Sequence, residues 1–138
     1  MPKTFINPSD LFLSVDRWGF SQDVSCADAG RLVFLSGQTA WGANESVVGT
    51  TRWEQFAECV TNIRRALQAA GGSLSDVVSL RLYMVNYDPS EADDVALALR
   101  NAFPGEHPPA TTWIGISSLA QRDYLIELEA YAYIERSV

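Results

Sequence analysis

The chain has 138 residues and a mass of 15.2 kDa, which suits one domain whose core needs no disulfide or metal support. Hydrophobic residues make up 47% of the chain and charged residues 20%, and this balance excludes a disordered protein. Seventeen acidic residues against ten basic ones give a net charge of -7, which argues against a nucleic-acid partner because such partners require clustered Lys and Arg.

Several other classes of protein are disfavoured by the sequence. Cys26 and Cys59 belong to no Cys-x-x-Cys or Cys/His pattern, so we expect neither a disulfide framework nor a metal site. The apolar run at residues 11–13 is too short for a signal peptide, and no stretch approaches the roughly 18 apolar residues of a membrane span. We therefore expect a cytoplasmic protein with no membrane partner. No linker or repeat interrupts residues 1–138, which predicts a single domain.

The first predicted elements follow an irregular start around residues 7–10. Residues 31–36 form an apolar run that predicts a buried strand, which Gly37 ends. Residues 41–49 then predict a loop or hairpin. Thr51 and Glu54 match a capping box, so a helix should begin there. Apolar residues follow at helical spacing until Gly71, which indicates an amphipathic helix of about 20 residues.

The second half of the chain predicts a strand, a helix and two further strands. Residues 77–85 alternate, which predicts a strand with these side chains on one face: Val78, Leu80, Leu82 and Met84. Ser90, with Asp93 three residues later, is expected to cap a second helix that ends at Pro104 and Gly105. The final strands are predicted at residues 111–117 and 124–134.

This order of elements predicts an α+β sandwich in which two helices cover one face of a sheet. In the last predicted strand, one side carries Glu127, Glu129, Tyr131 and Tyr133, and the other carries Ile126, Leu128, Ala130 and Ile134. Both sides are too apolar to face water alone. We therefore expect the second face of the sheet to be covered in an oligomer.

Three separated segments resemble one known family. They are Trp18-Gly19-Phe20-Ser21-Gln22, then Val33-Phe34-Leu35-Ser36-Gly37-Gln38, and then Pro108-Pro109-Ala110-Thr111-Thr112 with Ile126-Glu127-Leu128-Glu129-Ala130. Asn62-Ile63-Arg64 and the residues from Ala69 to Val78 also fit. The order and spacing of these segments, from about residue 18 to residue 134, resemble the Rid (YjgF, reactive intermediate deaminase) family.

The resemblance implies a chorismate-mutase-like fold with one mixed sheet covered by two helices. It also implies a homotrimer whose sheets form a central barrel, with a small-molecule cleft between each pair of subunits. Typical members hydrolyse imines and enamines to carbonyl compounds and ammonia, and they use no metal or organic cofactor. This reaction requires a cation for the substrate carboxylate, a group that positions water, and a proton donor for the leaving nitrogen.

The resemblance also implies which residues form the cleft. Glu127 matches the glutamate that positions water and is the candidate catalytic residue. Ser36, Gly37 and Gln38 match a substrate-binding segment where the glycine backbone approaches the ligand. Glu129, on the same strand face as Glu127, is interpreted as an interface or surface residue.

Three positions depart from the family pattern. Thr111 stands where typical members have the substrate-binding Arg, Phe20 where they have Tyr, and Ala120 where they have Pro. Trp113 lies on the same strand face as Thr111 and is expected to point into the cleft. These changes predict a ligand that is flatter or less charged, or a site that has lost its chemistry.

Several alternatives remain open at this stage. Arg17, Arg81 or Arg122 could replace the absent cation, and His107 is expected in a solvated turn. The function is either hydrolysis of an imine or enamine, or ligand binding without catalysis by a regulatory trimer. RNA cleavage, described for some family members, is disfavoured by the net charge of -7.

Overall fold

The computed structural model describes residues 2–136, which form six strands and three α-helices. In chain order the elements are β1 (Lys3–Ile6), α1 (Val15–Trp18), β2 (Asp23–Cys26), β3 (Gly30–Phe34), α2 (Arg52–Ala69), β4 (Val77–Val85), α3 (Ala92–Ala102), β5 (Ala110–Ile116) and β6 (Ile126–Glu135). The predicted long helix and the three strands that follow it are confirmed to within two residues. Trp41 pairs with Val47 in one antiparallel bridge, as the predicted hairpin requires.

The main sheet has the strand order β3-β6-β4-β5. Strands β4 and β5 are parallel and the other neighbours are antiparallel, so the sheet is mixed. Leu82 pairs with Leu128 on one side and with Trp113 on the other, which places these side chains on one face. Helices α2 and α3 both pack on that face, and the α+β sandwich is confirmed.

One apolar cluster joins the two helices to the sheet. Its fully buried members come from α2, β4, α3 and β6: Cys59, Ile63, Leu67, Leu82, Met84, Val95, Leu99, Ile126, Leu128 and Ala132. Residues at i, i+3 or i+4 of the helices meet alternate residues of the strands, as amphipathic elements require. This cluster holds β6 and β4 in the positions that orient the site described below.

The opposite face of the sheet is open to solvent in the single chain. It carries Leu32, Phe34, Arg81, Tyr83, Thr112, Ile114, Glu127, Glu129 and Tyr131. The predicted burial of the strand at residues 31–36 is wrong, because Leu32 is 54% exposed and Phe34 is 67% exposed. Strand β3 lies at the sheet edge and turns these side chains away from the helices.

A β-bulge changes the predicted alternation at the start of β4. The register shifts between Val77 and Ser79, so Val77 is only 2% exposed while Val78 is half-buried. The assignment of Val78 to the core face is therefore wrong, because sequence alternation alone cannot show where one extra residue interrupts the pairing.

The start of α2 is confirmed and the start of α3 is corrected. Thr51 Oγ1 accepts a hydrogen bond from the Glu54 amide at 3.2 Å, and Glu54 accepts one from the Thr51 amide at 3.1 Å. Before α3, Asp88 rather than Ser90 is the capping side chain, because Asp88 accepts the Ser90 amide at 2.9 Å. A short 3₁₀ turn, Pro89–Glu91, separates this cap from α3.

The N-terminal segment is more regular than predicted. Strands β1 and β2 pair antiparallel in a separate two-stranded sheet. Lys3 is 8% exposed, and its ammonium contacts the Asp76 carboxylate at 3.3 Å and the Tyr133 carbonyl oxygen at 3.3 Å. Residues 7–10 are irregular as predicted, but the strands on either side of them were not predicted, because these short strands are formed by contacts distant in sequence.

Gln55 joins the start of α2 to two other segments. It is 1% exposed, and its amide nitrogen donates to the carbonyl oxygens of Gly49 at 3.2 Å and Asp123 at 2.8 Å. Its side-chain oxygen accepts the Leu125 amide at 2.8 Å. These bonds fix the segment that leads directly into β6 and the candidate site.

We expect Gln55→Met to lower the free energy of unfolding by about 2 kcal/mol, because the three part-buried hydrogen bonds of a buried side chain are lost while side-chain length is kept. Urea denaturation measures the loss. Gln68→Met, on the exposed side of the same helix, is the matched control and should change stability by less than about 0.5 kcal/mol. Equal effects of the two variants would contradict this role of Gln55.

Candidate functional site

Glu127 lies on the open face of the sheet, where three segments meet. It is half-buried on β6 and pairs in register with Tyr83 of β4. On its other side, Gln38 and Leu128 exchange two backbone hydrogen bonds of 2.7 and 2.9 Å. These two hydrogen bonds extend the pairing of β3 with β6 beyond the end of β3. They bring Ser36 and Gly37 alongside Glu127.

Gly37 is in direct contact with Glu127. A Cβ atom at position 37 would overlap Oε2 of Glu127 and would lie only 2.8 Å from its Cδ. Glycine is therefore required here for the close approach of backbone and carboxylate, and not for an unusual backbone angle. The side-chain amide of the adjacent Gln38 donates a hydrogen bond to the Ser36 carbonyl oxygen at 3.0 Å, which stabilises the turn.

The two carboxylates of β6 have different environments. Glu129 accepts a hydrogen bond from the Tyr83 hydroxyl at 3.2 Å and forms an ion pair with Arg81 at 3.6 Å. Glu127 has neither a side-chain hydrogen bond nor an ion pair within residues 2–136. Burial, and secondarily the negative charge of Glu129, raise the pKa of Glu127 above its ordinary value.

The thiol of Cys59 lies beneath this region in the core. Burial, with smaller contributions from the charges of Glu127 and Glu58, raises the pKa of Cys59 to about 12. Cys59 is therefore a neutral packing residue at physiological pH rather than a nucleophile. Cys26 is a free, exposed thiol and forms no disulfide with it.

The remaining predicted substrate-binding residues lie together at another part of the molecule. Thr111 and Trp113 are on β5, with side chains on the helix-covered face. The Phe20 ring packs edge-to-face on Trp113 with a centroid distance of 5.8 Å. The Thr111 hydroxyl donates to the Pro109 carbonyl oxygen at 3.1 Å, so it is engaged within the chain.

These two groups of residues do not meet within one chain. Strand β4 separates β6 from β5, so Glu127 and the β5 residues are two strand spacings, or about 9.5 Å, apart across the sheet. Thr111 is also displaced along β5 from Ile114, the residue level with Glu127, and it points to the opposite face. A cleft containing both groups requires two copies of the chain.

None of the three arginines named as replacements lies free beside Glu127. Arg17 contacts the Asp93 carboxylate at 2.6 Å and stacks over Trp18 at 4.0 Å. Arg81 is paired with Glu129, as described above. Arg122 is exposed and lines a separate cavity of about 370 Å³ beside Gln55.

The other sequence-based expectations concern metals, membranes and His107. Within the described part of the chain, no three His, Cys, Asp or Glu side chains cluster in a way that could hold a metal ion. None of its helices combines the length and apolar character that a membrane span requires. His107 is exposed and stacks on Phe5 with a centroid distance of 4.6 Å.

Arg65 of α2 was not among the residues that the sequence predicted for a site. Arg65 lines a cavity of about 380 Å³ together with Gly37, Gln38, Trp41 and other residues. Its position one helical turn after Asn62 places it beside the loop that follows Gly37. The helical spacing was visible in the sequence, but the position of that loop was not.

Comparison with known proteins decides the family. The family model described as endoribonuclease L-PSP matches residues 17–134, most of the chain. The chain belongs to this family, also called the YjgF/RutC/Rid family. A RutC family protein of Pyrococcus horikoshii is 33% identical over 109 residues, covering 78% of this chain and 82% of that protein.

Two further Rid relatives are informative. A 2-iminobutanoate/2-iminopropanoate deaminase of Dermatophagoides farinae is 29% identical over 109 residues, covering 77% of this chain and 80% of that enzyme. The crystal structure of the Rid protein YyfB of Yersinia pestis, whose function is unknown, superposes with a TM-score of 0.89 at 35% identity. That match covers 96% of this chain and 98% of the Yersinia chain. The fold of this Rid protein is therefore the fold of the family.

We expect Glu127→Gln to raise the melting temperature at about pH 8. A glutamate whose folded-state pKa is raised destabilises the folded state above its unfolded pKa, because its charged form is disfavoured there. The difference from the parent protein should shrink as the pH falls and disappear below about pH 4, where the carboxyl group becomes protonated in both states. Thermal denaturation across this pH range measures it. A variant less stable than the parent at high pH would contradict an unpaired, desolvated carboxylate.

Proposed function

We propose that this Rid protein hydrolyses an imine or enamine to a carbonyl compound and ammonia, with Glu127 as the catalytic residue. The observation that carries the proposal is a half-buried carboxylate of raised pKa that has no partner in the described chain and lies against the backbone of Gly37. Family membership and the deaminase relative of Dermatophagoides farinae support the reaction class.

The unpaired state of Glu127 suits acid–base chemistry. A carboxylate that is already hydrogen-bonded and ion-paired, as Glu129 is, has less basicity available for a water molecule. Glu127 keeps its acceptor oxygens free, and its raised pKa brings it closer to the operating pH of a general base and acid. The contrast between the two carboxylates favours Glu127 for proton transfer.

The reaction divides into two steps, and Glu127 accepts and returns one proton in each. In the addition step, Glu127 accepts a proton from water while the water oxygen bonds to the imine carbon; the C=N π electrons become a lone pair on nitrogen, and Glu127 donates the proton to that nitrogen. In the collapse step, Glu127 accepts the proton of the carbinolamine hydroxyl, the C=O bond forms and the C–N bond breaks. Glu127 then donates this proton to the departing nitrogen, so one water and one imine give one carbonyl compound and one ammonia.

We also propose that the whole chain forms one domain that acts as a homotrimer. Two features support this assembly. The open sheet face carries exposed apolar side chains, including Phe34 at 67% and Ile114 at 39% exposure. In addition, the predicted site residues are split between the β3 side and the β5 edge of the sheet, so a shared cleft needs adjacent subunits. Metabolite repair in the cytoplasm is the role we propose for such a trimer.

We expect the protein to accelerate the loss of imines generated in situ by an amino-acid oxidase, measured by ammonia release and competition with semicarbazide trapping. Glu127→Gln should lower kcat by about 100- to 10,000-fold, because the variant cannot accept or return a proton. Glu129→Gln removes a carboxylate from the same strand face and is the matched control, which should retain activity within a few fold.

A second variant tests whether turnover depends on the position of the Glu127 carboxylate as well as on its ability to transfer protons. Gly37→Ala should displace the flexible end of Glu127 at little cost to stability, yet it should lower turnover. Full activity of Glu127→Gln would overturn the catalytic role. Saturable ligand binding without product, in parent and variants alike, would instead identify a non-catalytic binding trimer.

We expect sedimentation to give three times the chain mass of 15.2 kDa. Phe34→Lys should yield a smaller, folded species, since it places a charge on the open face at a residue that is already exposed in the single chain. Leu97→Lys, at a 51% exposed position on α3, is the matched control and should leave the mass unchanged. A parent protein that sediments as a monomer would contradict the shared cleft.

A further inference from the structure

We propose that the groove between α2 and α3 binds a small monocarboxylate with an elongated apolar body, and that Arg64 binds its carboxylate. This site is separate from the proposed reaction, because the groove lies on the helix layer while Glu127 lies on the opposite face of the sheet. Three features carry the proposal: an apolar cavity of small-molecule size, a guanidinium on its wall that has no ion pair within residues 2–136, and an exposed leucine beside it.

The cavity lies entirely between the two helices. Every residue that lines it belongs to α2 or α3, and its volume of about 540 Å³ is within the range of small-molecule sites. Most of its surface is apolar and comes from these side chains: Trp53, Phe56, Val60, Leu97, Ala98 and Ala102. A ligand that complements this surface therefore has an apolar body.

The groove is elongated and has two distinct ends. Trp53 and Arg64, the first and last α2 residues on its wall, are eleven residues apart, or about 16 Å along the helix. Arg52, the first residue of α2, is ion-paired with Glu91 directly before α3, so the two helices start side by side. Asp94 therefore lies at the Trp53 end of the groove, and Arg64 lies towards the other end.

The two charged residues of the groove differ in how their charges are compensated. Asp94 lies in the first turn of α3, where the helix dipole stabilises a carboxylate. Arg64 is exposed and lies before the last turn of α2, so the dipole does not explain its position. Within residues 2–136 the Arg64 guanidinium forms no ion pair, whereas the next residue, Arg65, is paired with Glu58. The cation available to a ligand is therefore Arg64.

These charges determine which ligand fits and how it is oriented. A carboxylate at Arg64 gains a charge-assisted contact without breaking an existing one, while a carboxylate at the other end is repelled by Asp94. One guanidinium compensates one negative charge, which a monocarboxylate carries and a phosphate ester exceeds. The ligand thus places its carboxylate at Arg64 and its apolar body along the groove towards Trp53.

Leu97 indicates that the groove is open and is not covered by the proposed trimer. Its side chain is 51% exposed, which makes it the most exposed large apolar side chain of the described helices. Phe34 and Ile114 are also exposed, but they lie on the open face of the sheet, where a trimer would bury them. Leu97 lies on the other side of the sheet, so a ligand in the groove is what buries its apolar surface.

The test titrates the protein with octanoate, kept below its micelle-forming concentration, and with 1-octanol, which has the same chain length but no charge. The reporter is the chemical shift of the Trp53 indole N–H, assigned with Trp53→Phe; Trp18, Trp41 and Trp113 lie outside the groove. We expect a saturable shift of the Trp53 signal with octanoate, and weaker binding of 1-octanol.

Three variants locate the site. Arg64→Gln should weaken octanoate binding by about 5- to 10-fold, between the effects for exposed ion pairs and for hydrogen bonds to charged groups, and should leave 1-octanol binding unchanged. Arg65→Gln removes the same charge from the next residue, which lines a different cavity, and is the matched control with unchanged octanoate binding. Ala57→Leu, at an exposed position of the groove wall, should weaken the binding of both ligands because it fills the cavity.

Equal weakening in Arg64→Gln and Arg65→Gln, or equal affinity for octanoate and 1-octanol, would overturn the role of Arg64. Undiminished binding in Ala57→Leu would place the ligand outside the groove and would overturn the site. Glu127→Gln should bind octanoate as the parent does, since Glu127 is on the opposite face of the sheet. Octanoate binding in a protein that hydrolyses no imine would therefore support the groove site and refute only the hydrolase.

Discussion

The alternation of side chains along β6 is the constraint on which the rest of the structure depends. The even-numbered residues from Ile126 to Ala132 are buried against α2 and β4, and burial of such side chains is the main favourable term in folding. Since successive strand residues point to opposite faces, this packing forces Glu127 and Glu129 onto the open face. A one-residue slip would bury both carboxylates and expose the core, so the register is strongly specified.

The site is built on this rigid strand and not on a mobile loop. Pairing of Gln38 with Leu128 sets the approach of Gly37 to Glu127, and the Gln55 hydrogen bonds hold the segment that enters β6. The side-chain amide of Asn62 holds the loop after Gly37 by a hydrogen bond to its backbone. A carboxylate without a partner is unfavourable when partly buried, and the surrounding core and backbone bonds are what keep it in place.

Departures from the family pattern have consistent structural consequences. With Thr111 bonded to the Pro109 carbonyl and Phe20 packed on Trp113, the β5 edge is apolar and offers no cation at position 111.

Much of the architecture could be read directly from local pattern. The capping box at Thr51, the alternation of residues 77–85 and the breaks at Gly71 and Pro104 are short-range signals, and each corresponds to an element boundary in the structure. The resemblance to the Rid family assigned Glu127 and Gly37 to one cleft, and the structure brings the two into contact.

Other features depended on pairing between distant segments. The β1–β2 pair, the bulge at Val78, the exposure of Phe34 and the position of Arg65 beside Gly37 all arise from contacts that no short window of sequence contains. The sequence by itself determined the element types, because periodicity and capping are local. Only the tertiary structure decided which side chains share a face, an edge or a cavity, because that depends on strand order and register across the whole chain.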